Sequence, residues 1–295
     1  MSHFSCVGIL GRLGNDNVLN TLRNLIQLLS DRQIPFKVED LLKNTLRNED
    51  VDYATRAELG AFADLIIVVG GDGTLLGAAR DMAIYDLPVL GINRGRLGFL
   101  TDIMPDQMEL VVSDVFSGNF IEEQRFLLEV KVCRDGEWVG SSAAMNDIVL
   151  HPGQSIRMIE FELLIDGQFV YSQRSDGLIV STPTGSTAYA LSAGGPLMHP
   201  KLNAIVLVPM FPHTLTSRPL VVDGDAAVCV RIGYENDLAP QVSCDAQNHL
   251  VTLQGDELHI SKMSHSLRLL HPKNYDYYEI CRTKLGWGSR LGNDG

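Results

Sequence analysis

An apolar run, Leu65 to Val69, leads straight into Gly70-Gly71-Asp72-Gly73-Thr74, and a segment of helical composition follows. Glycines let a backbone approach a polyphosphate closely and aim N–H groups at it. A Walker loop would carry Lys and then Ser or Thr after its second glycine; this loop has no lysine. Its one charge is a carboxylate, which polyphosphate repels. Two kinds of chemistry reconcile the two: Asp72 helps to hold Mg²⁺, or it accepts the proton of an attacking hydroxyl. The local alternative is a turn aspartate that caps a helix beginning near Thr74.

Other polar constellations are weaker. Gly8, Gly11 and Gly14 follow the first apolar segment, but Leu10 stands where a Rossmann fingerprint needs glycine. In that reading Glu39 would be the ribose-binding acid; an ordinary βα turn is favoured. The five cysteines, Cys6, Cys133, Cys229, Cys244 and Cys281, are scattered and include no CxxC. That usage suits reduced thiols and a cytoplasmic protein. None of the eight histidines pairs with a cysteine at metal-ligand spacing, so no fixed protein metal site is expected. His151, His199 and His213 read as structural, and His249, His259, His265 and His271 as residues of hairpin strands or exposed loops.

Net charge is −12 over 295 residues. That balance lacks the basic footprint of a nucleic-acid binder. No apolar run reaches the roughly 18 residues of a membrane span, and the start "MSHFSCVGIL" lacks the basic n-region of a signal peptide.

The elements that must position Asp72 alternate along the first third of the chain. "FSCVGIL", "PFKVEDLL", "DLIIVVG" and "LPVLGIN" read as strands; "VLNTLRNLIQLLSDR", "TLLGAARDMA" and "MPDQMELVVSDVFSG" read as helices. Continuous apolar strands between helices predict a parallel sheet covered on both faces, with a ligand site at its carboxyl edge. After about residue 120 the runs alternate polar and apolar instead. Asp135-Gly136, Asp166-Gly167, Asp223-Gly224 and Gly255-Asp256 fall between such runs and predict hairpins. The expected architecture is therefore α/β plus all-β. A Rossmann-like parallel-sheet domain, residues 1–120 joined by a tail at 272–295, is followed by a β-rich, sandwich-like domain at 121–271, with the active site in the cleft between them.

GGDGT resembles the shared motif of a kinase superfamily that includes NAD kinases, 6-phosphofructokinases and diacylglycerol or sphingosine kinases. Three further segments, "GINRGRLGFLTDI" (91–103), "NDIVLHPG" (146–153) and "RSDGLIVSTPTGSTAYALSAGGPLMHP" (174–200), resemble the bacterial NAD kinase family in order and spacing. The likeness covers nearly the whole chain. It implies transfer of the ATP γ-phosphoryl group to the 2′-hydroxyl of the adenosine ribose of NAD, giving NADP, with Mg²⁺ accompanying ATP.

The resemblance also implies roles. Asp72 matches the general base, Gly73 its close backbone contact with NAD, and Gly70, Gly71, Gly73 and Thr74 the ATP phosphate loop. Asn146 and Asp147 match a pair that holds ribose and adenine. Thr187, Ala188, Tyr189, Ala190, Leu191 and Ser192 match a segment lining the adenosine and nicotinamide sites, where small residues permit close approach and Tyr189 can stack. Arg157, Arg174, Asp176 and Gln247 complete the NAD-binding set. Family members differ at Arg174, a position associated with the choice between NAD and NADH. The resemblance further implies a homodimer or homotetramer, with no nucleic acid or membrane as partner. Two rivals are another GGDGT kinase acting on a sugar phosphate or lipid, and a non-catalytic NAD(P) sensor. A phosphofructokinase would continue α/β alternation through its second half, a lipid kinase would show a membrane-seeking segment, and a sensor has no need of Asp72.

Overall fold

A computed structural model of the chain describes residues 3–11, 16–46, 51–94, 98–153, 157–237 and 239–288. Gly14 and residues 95–97 of the second family-like segment lie outside the described residues. The chain divides into two compact units, Met1–Gln124 with Leu267–Gly295, and Arg125–Ser266.

The first unit contains β1 (Val7–Gly11), α1 (Asp16–Asp31), β2 (Phe36–Glu39), β3 (Tyr53–Ala54), α2 (Arg56–Phe62), β4 (Leu65–Gly70), α3 (Asp72–Met82), β5 (Pro88–Asn93) and α4 (Met108–Phe116). Its strands pair in parallel in the order β5-β4-β1-β2-β3. Every residue of β4 and β5 is buried, which is why both read as unbroken apolar runs. Leu22, Leu25 and Leu29 of α1 are fully buried in the same core as Val7, Ile9, Ile67 and Val69. The strand order reverses between β1 and β4, so the GGDGT turn leaves the carboxyl edge of the sheet at its switch point.

The early glycines have packing roles. A Cβ at Gly8 would lie 2.6 Å from Ile66 Cδ1, and one at Gly11 would lie 3.3 Å from Leu22 Cδ1. Both residues belong to β1 itself, and Glu39 is buried against Arg56 at 2.6 Å. Among the described residues, the two glycines of the dinucleotide-loop alternative are therefore packing positions within a strand.

The second unit is a two-sheet β-sandwich. Its strands are β6 (Phe120–Arg134, which begins in the first unit), β7 (Glu137–Ala144), β8 (Asp147–His151), β9 (Ile159–Ile165), β10 (Gln168–Ser175) and β11 (Gly177–Ser181). After the short helix α5 (Tyr189–Ser192) come β12 (Ala204–Met210), β13 (Leu220–Asp223), β14 (Val228–Ile232), β15 (Gln241–Cys244), β16 (Asn248–Val251) and β17 (Glu257–Pro272). One sheet runs β10-β9-β14-β17, with β6 and β7 beyond; the other runs β13-β12-β11-β8-β15-β16. Phe161, Leu163, Val228, Val230, Leu258 and Ile260 from the first sheet share a core with Ile148, Leu150, Leu178, Val180, Ile205 and Leu207 from the second.

The end of β17 extends the parallel sheet of the first unit, pairing Arg268–Leu270 with Pro88–Leu90. Helix α6 (Tyr277–Leu285) completes that unit, capped by the Asp276 carboxylate, which accepts from Tyr278 N at 2.8 Å. His271, expected in a hairpin strand or an exposed loop, is fully buried in β17. Its Nδ1 lies 2.8 Å from Asp102 Oδ2 and its ring stacks on Tyr275.

Two of the four Asp-Gly or Gly-Asp signals are hairpins and two are not. Asp135-Gly136 and Asp166-Gly167 take positive φ at both positions, the geometry of a two-residue hairpin turn, and join β6 to β7 and β9 to β10. After Asp223-Gly224 and across Gly255-Asp256 the chain changes sheets: β13 pairs with β12 and β14 with β9, while β16 pairs with β15 and β17 with β14. At these sites Asp223, Gly224 and Asp256 all lack a positive φ, and only Gly255 takes one, at 84°.

Candidate active site

Helix α3 starts at Asp72, with Gly71 as its extended N-cap, so the carboxylate sits in the first turn and does not cap. It reaches instead across to the segment after β5. Asp72 Oδ2 accepts from Phe99 N at 2.9 Å. Asp72 Oδ1 accepts from Leu100 N at 3.1 Å, Thr101 N at 3.1 Å and Thr101 Oγ1 at 3.0 Å. A carboxylate offers about four lone-pair positions, two on each oxygen. Oδ1 is saturated, and Oδ2 retains acceptor capacity.

The surrounding backbone is built to keep this arrangement. Asn93 Nδ2 donates to Thr101 O at 2.8 Å, Arg94 N to Gly70 O at 3.2 Å, and Gly98 N to Thr101 O at 3.1 Å. A Cβ at Gly98 would lie 2.0 Å from Asp72 Oδ1. "GGDGT" and "GFLTD" are thus two halves of one turn, joined by Asp72. Within the loop, Gly70 is occupied by packing, because a Cβ there would meet Thr74 Oγ1 at 2.4 Å. Gly71 faces open space at the start of α3, while Thr74 N donates back to Gly71 O at 2.9 Å.

The second unit carries a cavity of about 470 Å³ lined by Asn146, Asp147, Val149, His151, Ala188, Tyr189, Ser243, Asp245 and Ala246. Alternation along β8 turns Asp147, Val149 and His151 to one face, and Ser243 of β15 stands opposite Val149 in the register. The segment from Gly185 to Ser192 lies over that face and supplies Ala188 and the half-exposed Tyr189; Ala190 is packed beneath, against Val149, Ile179 and Val208.

Asp245 organises the cavity. Its carboxylate accepts from Met145 N at 3.0 Å, Asn146 N at 2.7 Å and Asp147 N at 3.3 Å, and its own N–H donates to Asp147 O at 3.0 Å. The turn that carries it is strained, with Asp245 at φ 52° and Ala246 at φ 55°; a non-glycine residue there costs about 1–2 kcal/mol. Gly185 closes the other side: a Cβ there would lie 2.1 Å from Asn146 O. Asn146 O in turn accepts from Thr182 N at 2.9 Å and Ser181 Oγ at 3.1 Å.

Of the NAD-binding set, Asn146, Asp147, Ala188 and Tyr189 line the cavity. Gln247 is exposed in the same turn as Asp245. Arg157 and Arg174 belong to the β9–β10 hairpin region. Arg157 is exposed and paired with Asp237; Arg174 is exposed and 3.9 Å from Glu160 Oε2. Asp176 joins β10 to β11, its N–H donating to Met210 O at 2.9 Å. Asp245 and Ser243 escaped the sequence reading, and His151 lines the cavity although it reads as structural. The period-2 spacing of Asp147 and His151 was a usable signal for the latter.

Burial, and then the neighbouring Asp245, push the Asp147 carboxyl up to about 7. His151 is held below its ordinary value by burial and then by His249, and its Nδ1 accepts from Gly153 N at 3.1 Å. The raised Asp147 value has a sign that can be tested. The folded state holds that proton more tightly than the unfolded chain does. Stability from Asp147 is therefore fully present below the ordinary 3.8 and is lost as pH rises through about 7. Asp147→Asn is expected to flatten this decline and to melt above the parent protein once pH exceeds about 7. Melting curves taken across that range check it, and parallel declines would show that Asp147 ionises normally.

A parallel α/β sheet with a carboxylate-bearing glycine turn at its carboxyl edge, on one chain with a β-sandwich cavity rich in carboxyl, hydroxyl and small side chains, defines a nucleotide-using kinase of the GGDGT type. Residues 7–120 match the ATP-NAD kinase N-terminal domain and residues 145–271 the ATP-NAD kinase C-terminal domain. The chain belongs to the ATP-NAD kinase family. It is 59% identical to the NAD kinase of Ectopseudomonas mendocina over 292 residues, 99% of each chain. It is 57% identical to that of Pseudomonas fluorescens strain SBW25 over 295 residues, the whole of both. Among solved structures it is similar to yeast NADH kinase complexed with NADH, with a TM-score of 0.88, 26% identity, and coverage of 97% of this chain and 89% of that one. It shares the fold of an NAD kinase from Archaeoglobus fulgidus in complex with ATP, with a TM-score of 0.73, 24% identity, and coverage of 96% and 100%.

Proposed function

We propose that the chain transfers the γ-phosphoryl group of Mg²⁺-bound ATP to the 2′-hydroxyl of the adenosine ribose of NAD, with Asp72 Oδ2 taking the hydroxyl proton. A bond forms between the ribose oxygen and the γ-phosphorus as the β–γ bridging bond breaks, leaving ADP and NADP. The observation that carries this reading is the asymmetry of Asp72, one oxygen saturated by Leu100 and Thr101 and the other, bonded by Phe99 N alone, with capacity to spare. Mg²⁺ enters with the phosphates as part of the substrate, since no second carboxylate accompanies Asp72 in the glycine turn. Asn146, Asp147 and the 187–192 segment take the adenosine end of NAD, and residues 1–120 with 272–295 supply the phosphate loop. Incubation with ATP, Mg²⁺ and NAD, followed by an NADP-specific dehydrogenase readout, tests the reaction; absence of NADP would refute it.

The rivals fare less well. The second unit is a β-sandwich rather than a continued α/β repeat, unlike the expectation for a phosphofructokinase. Among the described residues no helix is long and apolar enough to cross a membrane. All five cysteines are free thiols, which supports a cytoplasmic setting.

Assembly is part of the same reading. β10 is an edge strand, and its hairpin exposes Phe169 and Val170, a surface that monomers usually protect. Arg157 and Arg174 sit on that hairpin region rather than in the cavity of their own chain. A homodimer or homotetramer formed there brings each pair of arginines to a neighbour's NAD. Light scattering is expected to report at least a dimer. Arg174→Gly is expected to narrow the preference for NAD over NADH, measured as kcat/KM. Simple Coulomb attraction does not explain a preference of that sign, because the nicotinamide of NAD is itself cationic. An active monomer, or an unchanged NAD to NADH ratio in the variant, would refute the assignment.

A further inference from the structure

The outer face of the first sandwich sheet carries a polar cluster that NAD phosphorylation does not use. Val228, Val230, Leu258 and Ile260 face the core, so the alternate residues Cys229, Arg231, Glu257 and His259 face outward. Cys229 stands opposite His259 and Arg231 opposite Glu257 in the antiparallel register. One donor atom from each of Cys229, Glu257 and His259 lies within 4.8 Å of the others. The three residues line a cavity of about 430 Å³, with Leu164 and Gly167 of β9 and the adjoining turn on its wall.

We propose that Cys229, Glu257 and His259 form a binding site for a thiophilic divalent cation of the Zn²⁺ type. Thiolate, imidazole and carboxylate together favour Zn²⁺ or Co²⁺ over Mg²⁺. Zinc bonds of about 2.0–2.3 Å require donors about 3.5 Å apart, a short contraction for side chains projecting from two paired strands. His259 Nε2 is already 3.0 Å from Glu257 Oε2. Arg231 Nε holds the other carboxylate oxygen at 2.8 Å and so orients Glu257, much as outer partners orient ligating groups elsewhere. Three protein ligands leave the fourth tetrahedral position to water, and the cavity supplies the room.

A bound cation would tie β14 to β17 in the sandwich. These histidine and cysteine positions, thirty residues apart, show no ligand spacing in the sequence; the strand register brings them together.

The full chain titrated with Co²⁺ tests the site. One equivalent is expected to produce a sulfur-to-cobalt charge-transfer band, to be displaced by Zn²⁺ and not by Mg²⁺. It is also expected to quench Trp138, whose ring meets His259 edge-on at 5.2 Å. Cys229→Ser is expected to abolish the band and His259→Asn to weaken binding at least about tenfold, as loss of a ligand or its support does. If Cys229→Ser does not fold, alkylation mapping of the parent protein decides: Zn²⁺ is expected to slow modification of Cys229 by at least about tenfold, because the metal-bound sulfur is no longer a free nucleophile. Absence of the band, its persistence in Cys229→Ser, or alkylation of Cys229 indifferent to Zn²⁺ would overturn the proposal.

Discussion

Asp72→Asn is expected to lower kcat by at least about 10²-fold, the low end of what general-base assistance contributes, while KM for NAD changes only a few-fold. The low end is chosen because phosphoryl transfer depends chiefly on positioning and charge stabilisation. Asparagine keeps the size and removes the charge. It also changes a structural bond set, since the carboxylate accepts three backbone N–H groups and the Thr101 hydroxyl. The amide must turn its NH₂ toward one of those donors, which costs about 1–3 kcal/mol for the group left unsatisfied. A fall in melting temperature of about 2–4 °C per kcal/mol should accompany the loss of rate. Catalytic and clamping roles are separable by Thr101→Val, which removes the hydroxyl's bond to Asp72 Oδ1 and the one it accepts from Asn93 Nδ2, and no acid-base group. If Thr101→Val loses as much kcat as Asp72→Asn, the carboxylate serves only to hold the turn. If Asp72→Asn keeps near-normal kcat, the proton-transfer role fails outright. Gly98→Ala is a third probe, since its Cβ would press on Asp72 Oδ1 from 2.0 Å; it is expected to lower kcat with the charge intact.

That Asp72 clamps the segment after β5 was not legible in "GGDGT". The motif's chemistry could be read because glycine, carboxylate and strand end are adjacent in sequence. Its partner, Phe99 to Thr101, lies a full strand away, and nothing in local spacing announces three N–H groups converging on one carboxylate. The same limit applies to Asp245. It binds the backbone of Met145 to Asp147 about a hundred residues upstream, through a strained Asp-Ala turn with no glycine to mark it. In that stretch Gln247 is exposed, and the turn is held by the Asp245 carboxylate and backbone groups. The fold class was the more readable layer. Unbroken apolar β4 and β5 specify a two-faced parallel sheet, and alternation after residue 120 specifies a sandwich. Connectivity was less so: Asp135-Gly136 and Asp223-Gly224 look alike as dipeptides, but only the first has both residues in the left-handed region. The second ends a strand that leaves its sheet.

Gly185→Ala is expected to damage NAD binding more than any other single methyl group in the second unit. The added Cβ would lie 2.1 Å from Asn146 O, 2.5 Å from Asn146 C and 2.6 Å from Ser181 Oγ. Two of these atoms are backbone, so no rotamer change relieves the clash. Asn146 cannot simply withdraw. Its N–H is bound to Asp245 at 2.7 Å, and its carbonyl accepts from Thr182 N and Ser181 Oγ. The alternative is for the 185–188 segment to lift, which carries Ala188 and Tyr189 off the cavity. Overpacking of this kind costs about 1–3 kcal/mol. Displaced from either side, the lining of the site changes shape, and each 1.4 kcal/mol lost from binding is about tenfold in affinity. A rise in KM for NAD of at least about tenfold is therefore expected, with KM for ATP nearly unchanged, because the glycine turn of the first unit is untouched. Calorimetric titration of NAD into the variant, with melting curves to confirm folding, checks both halves. Unaltered NAD affinity would mean that the 185–192 segment is not part of the acceptor site. Equal weakening of ATP and NAD would mean that the cavity is not selective for the acceptor.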